Sequence, residues 1–89
     1  RIMDNNQIRL MGVLIRDRKS SAAEVQSLLT KYGCSIKTRL GLHEASDNLC
    51  APHGLVLLEL TGSAIEMDKL EKALNEVKSV EAKVINFDV

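Results

Sequence analysis

His43, Cys50 and His53 fall within one polar stretch, with Glu44 and Asp47 between them. Imidazole nitrogen and thiolate sulfur are ligands of transition metals, so this stretch has the donor types of a nickel or zinc site. Its spacing matches no standard zinc pattern, and a fourth ligand is not evident. Cys50 beside His43 or His53 would be the start of a nucleophilic centre, but nothing supplies an orienting third group or an oxyanion site at recognisable spacing. The expectation is therefore a protein with no catalytic residues and no cofactor. A transition-metal site at His43, Cys50 and His53 is the alternative.

A second group is charged. Arg16, Asp17, Arg18 and Lys19 form a turn ahead of a helical stretch that Ser21 would cap. The free N–H groups of a helix start attract anions, so Arg16, Asp17, Arg18 and Ser21 are candidate ligand contacts. Arg39 and Gly41, near the end of a strand, complete the candidate site. Arg39 is expected on the strand face away from the helices, where it can reach across an interface between copies. Cys34 is expected to be buried on the apolar face of the same strand.

These residues are carried by one unit written twice, from Ile8 to Leu42 and from Leu55 to Val89. Each copy reads strand, serine-capped helix, strand. Ile8–Ile15 is apolar on both faces, with Leu10 and Leu14 on one and Met11, Val13 and Ile15 on the other. Ser21 and Glu24 have capping-box spacing. Ala22, Val25, Leu28, Leu29 and Tyr32 follow as a helical stripe, and Gly33 is expected as its left-handed cap. Cys34, Ile36, Thr38, Leu40 and Leu42 alternate with Ser35, Lys37, Arg39 and Gly41, as in a half-exposed edge strand. Residues 43–53 form a long loop. Leu55–Leu60 is again apolar on both faces. Ser63 and Glu66 repeat the capping box, Ile65, Leu70, Ala73, Leu74 and Val77 form a second stripe, and Val80–Val89 is the last strand.

A β-α-β-β-α-β order predicts an α+β, ferredoxin-like sandwich: a four-stranded antiparallel sheet, order 4-1-3-2, with both helices on one face. Residues 1–6 read as a disordered tail and 7–89 as a single domain. The first and third strands lie in the middle of such a sheet, and helices cover one side only. Met11, Val13 and Ile15, or their alternates, are expected to form with residues of Leu55–Leu60, Val56 and Leu58 among them, an open apolar face that a second copy covers, giving a homodimer or homotetramer.

Composition narrows the function classes. Twelve basic and twelve acidic residues leave no net charge, and the chain has one Tyr, one Phe and no Trp. A nucleic-acid binder would need a basic face or stacking aromatics, and neither is present. No apolar run reaches the ~20 residues of a membrane span, and no signal peptide is evident. Cys34 and Cys50 make no disulfide framework, so a cytoplasmic protein with reduced thiols is expected. Met3 reads as a native start, with Arg1 and Ile2 added ahead of it.

From Thr38-Arg39-Leu40-Gly41-Leu42 onward, the chain resembles a known group. That strand follows a helix ending in Tyr-Gly. A second apolar strand, a helix of Ile65…Leu70…Leu74 type and a final Val-x-Ala-Lys-Val strand complete the likeness. The pattern resembles the iron-only hydrogenase system regulators, among the ACT-like domains and near the C-terminal domain of nickel-responsive repressors. The resemblance implies a stand-alone regulatory module that oligomerises, senses a small ligand and acts through a partner. The chain departs from these groups in three places. The loop after Gly41 is longer and carries Cys50 and His53. The turn after the first strand is Arg16-Asp17-Arg18-Lys19 rather than glycine-rich. Only His43 precedes Cys50, where the nickel repressors have closely spaced histidines.

Overall fold

Strand alternation decides which side chains meet the helices. The computed structural model describes residues 7–42 and 53–89. Its elements are β1 (Gln7–Ile15), α1 (Arg18–Lys31), β2 (Ile36–Leu42), β3 (Gly54–Leu60), α2 (Ala64–Asn75) and β4 (Val80–Asp88). The strands run β2-β3-β1-β4, each antiparallel to its neighbour, which is the expected ferredoxin-like order read from the other edge. The tail 1–6 and most of the loop 43–53 lie outside the described residues.

The register stacks β1, β3 and β4 into one apolar layer. Met11 stands opposite Leu58 and Val84, and Val13 opposite Val56 and Ala82. Val25 and Leu29 of α1 and Leu70 and Leu74 of α2 close over this layer, and all are buried. Met11, Val13, Ile15, Val56 and Leu58 are thus the core beneath the helices, not an open interface. A strand apolar on both sides does not show which side the helices take. That is decided by the alternate row, which carries Glu59, Glu81 and Lys83 and so keeps the more solvated side.

The two serine caps part company. Ser63 Oγ accepts the Glu66 N–H at 3.1 Å, as the capping spacing predicts. Ser63→Ala should lower the unfolding free energy by about 0.5–2 kcal/mol, read from denaturant midpoints. α1 instead begins at Arg18, with Asp17 at its N-cap making no side-chain cap bond. Ser21 is inside the helix and 1 % exposed. Its hydroxyl donates to the Lys78 carbonyl at 2.6 Å and lies 3.1 Å from Ser79 Oγ. Ser79 has φ 64°, the left-handed region that costs a residue with a Cβ, in the turn leading to β4. Ser21 therefore ties α1 to that turn. Ser21→Ala should cost about 1–3 kcal/mol through the lost buried hydrogen bond, not through a lost cap.

The end of α1 also differs from expectation. Gly33 is not left-handed: the helix closes through Tyr32, whose N–H donates to Leu28 at 3.0 Å, and Gly33–Ser35 forms a 3-10 turn. Cys34 sits in that turn and is exposed, so the buried-thiol expectation is corrected. Ile65 is 69 % exposed, and Met67 packs on the core at this end of α2 instead.

Candidate functional site

β2 controls where its arginine goes. Ile36 pairs with Leu60, but Thr38 already pairs with Glu59, so Lys37 is an extra residue in a bulge. A bulge shifts the alternation by one. Ile36 faces the helices, while Thr38 and Leu40 pair with Glu59 and Leu57 on the other side. Arg39 lies opposite buried Leu58 and donates from its guanidinium to the Gln26 side chain of α1. The expectation that Arg39 points away from the helices is corrected by this single bulge.

The other candidate contacts gather at the end of the sheet where β1 stops. Arg16 donates to Glu81 Oε1 at 2.7 Å. This bond holds the Glu81 carboxyl below its ordinary value, with Lys83 helping by charge and hydrogen bonding. The sign follows: a depressed carboxyl contributes stability above its ordinary pKa and loses it as pH falls through the lowered one. Arg18 begins α1, and its Cδ lies 3.0 Å from where a Cβ on Gly54 would stand, so Gly54 makes room for that stem. Gly41 pairs with Val56, one strand beyond β1's Val13, so it stands ~10 Å from β1 at the usual strand spacing. The structure thus brings Arg16, Asp17, Arg18 and Ser21 to one end. Ser21 is consumed by Lys78 and Ser79, and Arg39 turns toward α1.

His53 is exposed just ahead of β3. His43 and Cys50 lie outside the described residues. Among the described residues, no group of three His, Cys, Asp or Glu side chains could hold a metal ion.

The sheet face away from the helices is the larger feature. Leu10, Leu40, Leu57, Ile85 and Phe87 come from all four strands and are all exposed. Ile8 pairs with Phe87, Leu10 with Ile85, Leu40 with Leu57 and Leu14 with Leu55, so apolar pairs run across the face between the charged Glu59, Glu81 and Lys83. At its centre Gly12 leaves a hollow, with Leu57 Cδ2 3.8 Å from the missing Cβ.

A groove of about 620 Å³ opens at the opposite end of the sheet from Arg16. Arg9, Lys37, Glu59, Gly62 and Met67 are among its walls. Arg9 is fixed there by Asp68 at 2.9 Å and Asn86 at 3.0 Å, and Lys37 reaches Glu59 at 3.8 Å. Sequence reasoning missed this groove. Its one legible signal was Gly62 ahead of the Ser63 cap; Gly62 has φ 88°, which lets the chain turn sharply into α2.

A four-stranded antiparallel sheet with two helices on one face and the other face bare defines the ferredoxin-like α+β class. Known structures agree on that fold. An uncharacterized protein from Thermotoga maritima superposes with a TM-score of 0.79 at 17% identity, over 92% of this chain and 99% of that one. A protein from Thermus thermophilus described as PII-like and signaling gives 0.54 at 17% identity, over 93% and 89%. The apo form of CPII from Thiomonas intermedia, a nitrogen regulatory PII-like protein, gives 0.57 at 13% identity, over 93% and 91%. CPII has also been solved bound to ADP, AMP and acetate. No family profile and no curated protein matches the chain. Among the described residues, no helix is long and apolar enough to cross a membrane.

Proposed function

We propose that this chain is a non-catalytic regulatory module of the kind represented by the iron-only hydrogenase system regulators. It works as a homo-oligomer, senses a small ligand and acts through a protein partner. The observation that carries this reading is the bare sheet face, where Leu10, Leu40, Leu57, Ile85 and Phe87 stand in solvent together. Monomers rarely keep such contiguous apolar patches, and a second copy covers them at no cost in new chemistry. The likeness to PII-like folds, one of them solved with adenine nucleotides, supports screening ADP and AMP first.

The decisive experiment is a native-mass measurement followed by a thermal-shift screen of nucleotides and other metabolites. A ligand that raises the midpoint, on a protein heavier than 9.8 kDa, supports the reading. A monomer that no metabolite shifts overturns it. Calorimetric titration of the reduced protein with zinc and nickel tests the metal alternative. The expected result is no stoichiometric sub-micromolar binding. Tight binding that falls away below about pH 6 and is abolished by replacing His43, Cys50 and His53 together would favour the metal domain, because imidazole must be neutral to bind.

A further inference from the structure

The two halves of β4 are finished differently. β4 is an edge strand. The Arg16 N–H donates to the Ser79 carbonyl at 2.8 Å, and Leu14 and Leu10 stand opposite Glu81 and Ile85. By antiparallel alternation, Glu81, Lys83, Ile85 and Phe87 bond inward to β1. The backbone groups of Val80, Ala82, Val84, Asn86 and Asp88 therefore point to the free edge.

The chain seals the first part of that edge itself. The Val80 N–H donates to the Val77 carbonyl at 3.2 Å. The Asn75 side chain takes both groups of Ala82: its Oδ1 accepts the N–H at 2.8 Å, and its Nδ2 donates to the carbonyl at 3.2 Å. The amide acts there as a one-residue strand. Beyond it, the backbone groups of Val84, Asn86 and Asp88 meet no partner across the edge among the described residues. Exposed edges are usually blunted with Lys, Pro or a bulge. Val84–Asp88 has none of these, its single charge being Asp88 at the strand end, and instead presents Ile85 and Phe87, 57 % and 49 % exposed.

We propose that Val84–Asp88 pairs antiparallel with the same segment of a second copy, joining two sheets edge to edge. This rests on the oligomeric reading above and adds an edge contact to the contact through the bare face, so that the two together build a tetramer. The two-fold axis passes beside Asn86, so Val84 stands opposite the partner's Asp88 and Asn86 opposite the partner's Asn86. Moving the axis one residue toward β4's start would set the partner's Asp88 against Ala82, where Asn75 already sits. The chosen register is the longest that clears Asn75. It also places Ile85 against the partner's Phe87, a favoured β-branched–aromatic cross-strand pair, and brings no like charges opposite each other. A two-fold axis normal to the sheet sets the two bare faces side by side as one broader apolar surface.

Asn86→Pro tests this, because the N–H it removes points outward and no internal ladder bond is lost; it also removes the bond from Arg9 Nε to Asn86 Oδ1, but Asp68 still holds Arg9. A folded variant, checked by circular dichroism, with half the wild-type native mass is expected. A folded variant of unchanged mass overturns the proposal. Should Asn86→Pro not fold, Asn86→Cys in a Cys34→Ser, Cys50→Ser background replaces it. The paired Cα atoms would stand about 5.5 Å apart, within disulfide reach. Covalently cross-linked dimers on mild oxidation, with a Glu81→Cys control forming no cross-link, support the pairing; no cross-link in the Asn86→Cys variant overturns it. A wild-type monomer at micromolar concentration overturns both this and the oligomeric reading. An oligomer that Leu57→Asp dissociates but Asn86→Pro leaves intact overturns the edge pairing alone.

Discussion

Val13→Asp is expected to unfold the protein outright. Val13 has no solvent exposure and stands between Val56 and Ala82 under the helices. A carboxylate there would be desolvated among the apolar side chains of the core, and leaving a buried charge unpaired costs several kcal/mol. A small domain has only about 5–15 kcal/mol in total. The folded circular dichroism signal and the cooperative denaturant transition should both be lost at pH 7. A variant that stays folded and merely changes its mass would mean that the helix-covered and bare faces are assigned the wrong way round.

Leu57→Asp, one residue past Val56 on the same strand, should do the opposite. Leu57 is 41 % exposed on the bare face, beside the Gly12 hollow. In a single copy the new carboxylate remains hydrated, so stability should change by no more than about 1 kcal/mol. Between two copies that meet through this face it would be buried without a partner, and that contact should fail. Sedimentation should show a folded species of lower mass than wild type at the same concentration. A folded variant that keeps the wild-type mass would remove this face from the assembly. The two aspartates thus read out two faces of one sheet from adjacent positions.

The fold was largely legible in the chain. Two-sided apolar strands at Ile8–Ile15 and Leu55–Leu60 belong in the middle of a sheet, and the second capping box begins α2 where Ser63 predicts. The site was less legible. Ser21 has the same spacing to Glu24 as Ser63 has to Glu66, yet it lies inside α1, because its hydroxyl finds Lys78 and Ser79 across the fold. Local pattern cannot register a hydrogen-bond partner more than fifty residues away. Arg39 was misplaced for a similar reason. The bulge at Lys37 leaves the residue types of β2 unchanged while reversing the face of every residue after it.

By itself, the sequence determined the element order, the strand order and the existence of an apolar surface that two helices cannot cover. Those follow from the periods of its apolar residues and from the right-handedness of β-α-β crossovers, both of which are local or nearly so. Only the tertiary structure decided which row of β1 and β3 faces the helices, because both rows of β1 are apolar and the charges that mark the outward row, Glu59, Glu81 and Lys83, join it only through the pairing of the strands. It also decided that Val77 and Asn75 seal the first part of the β4 edge, at Val80 and Ala82, and leave Val84–Asp88 open. That division depends on where α2 ends relative to a strand it does not pair with, and this relation exists only once the chain has packed.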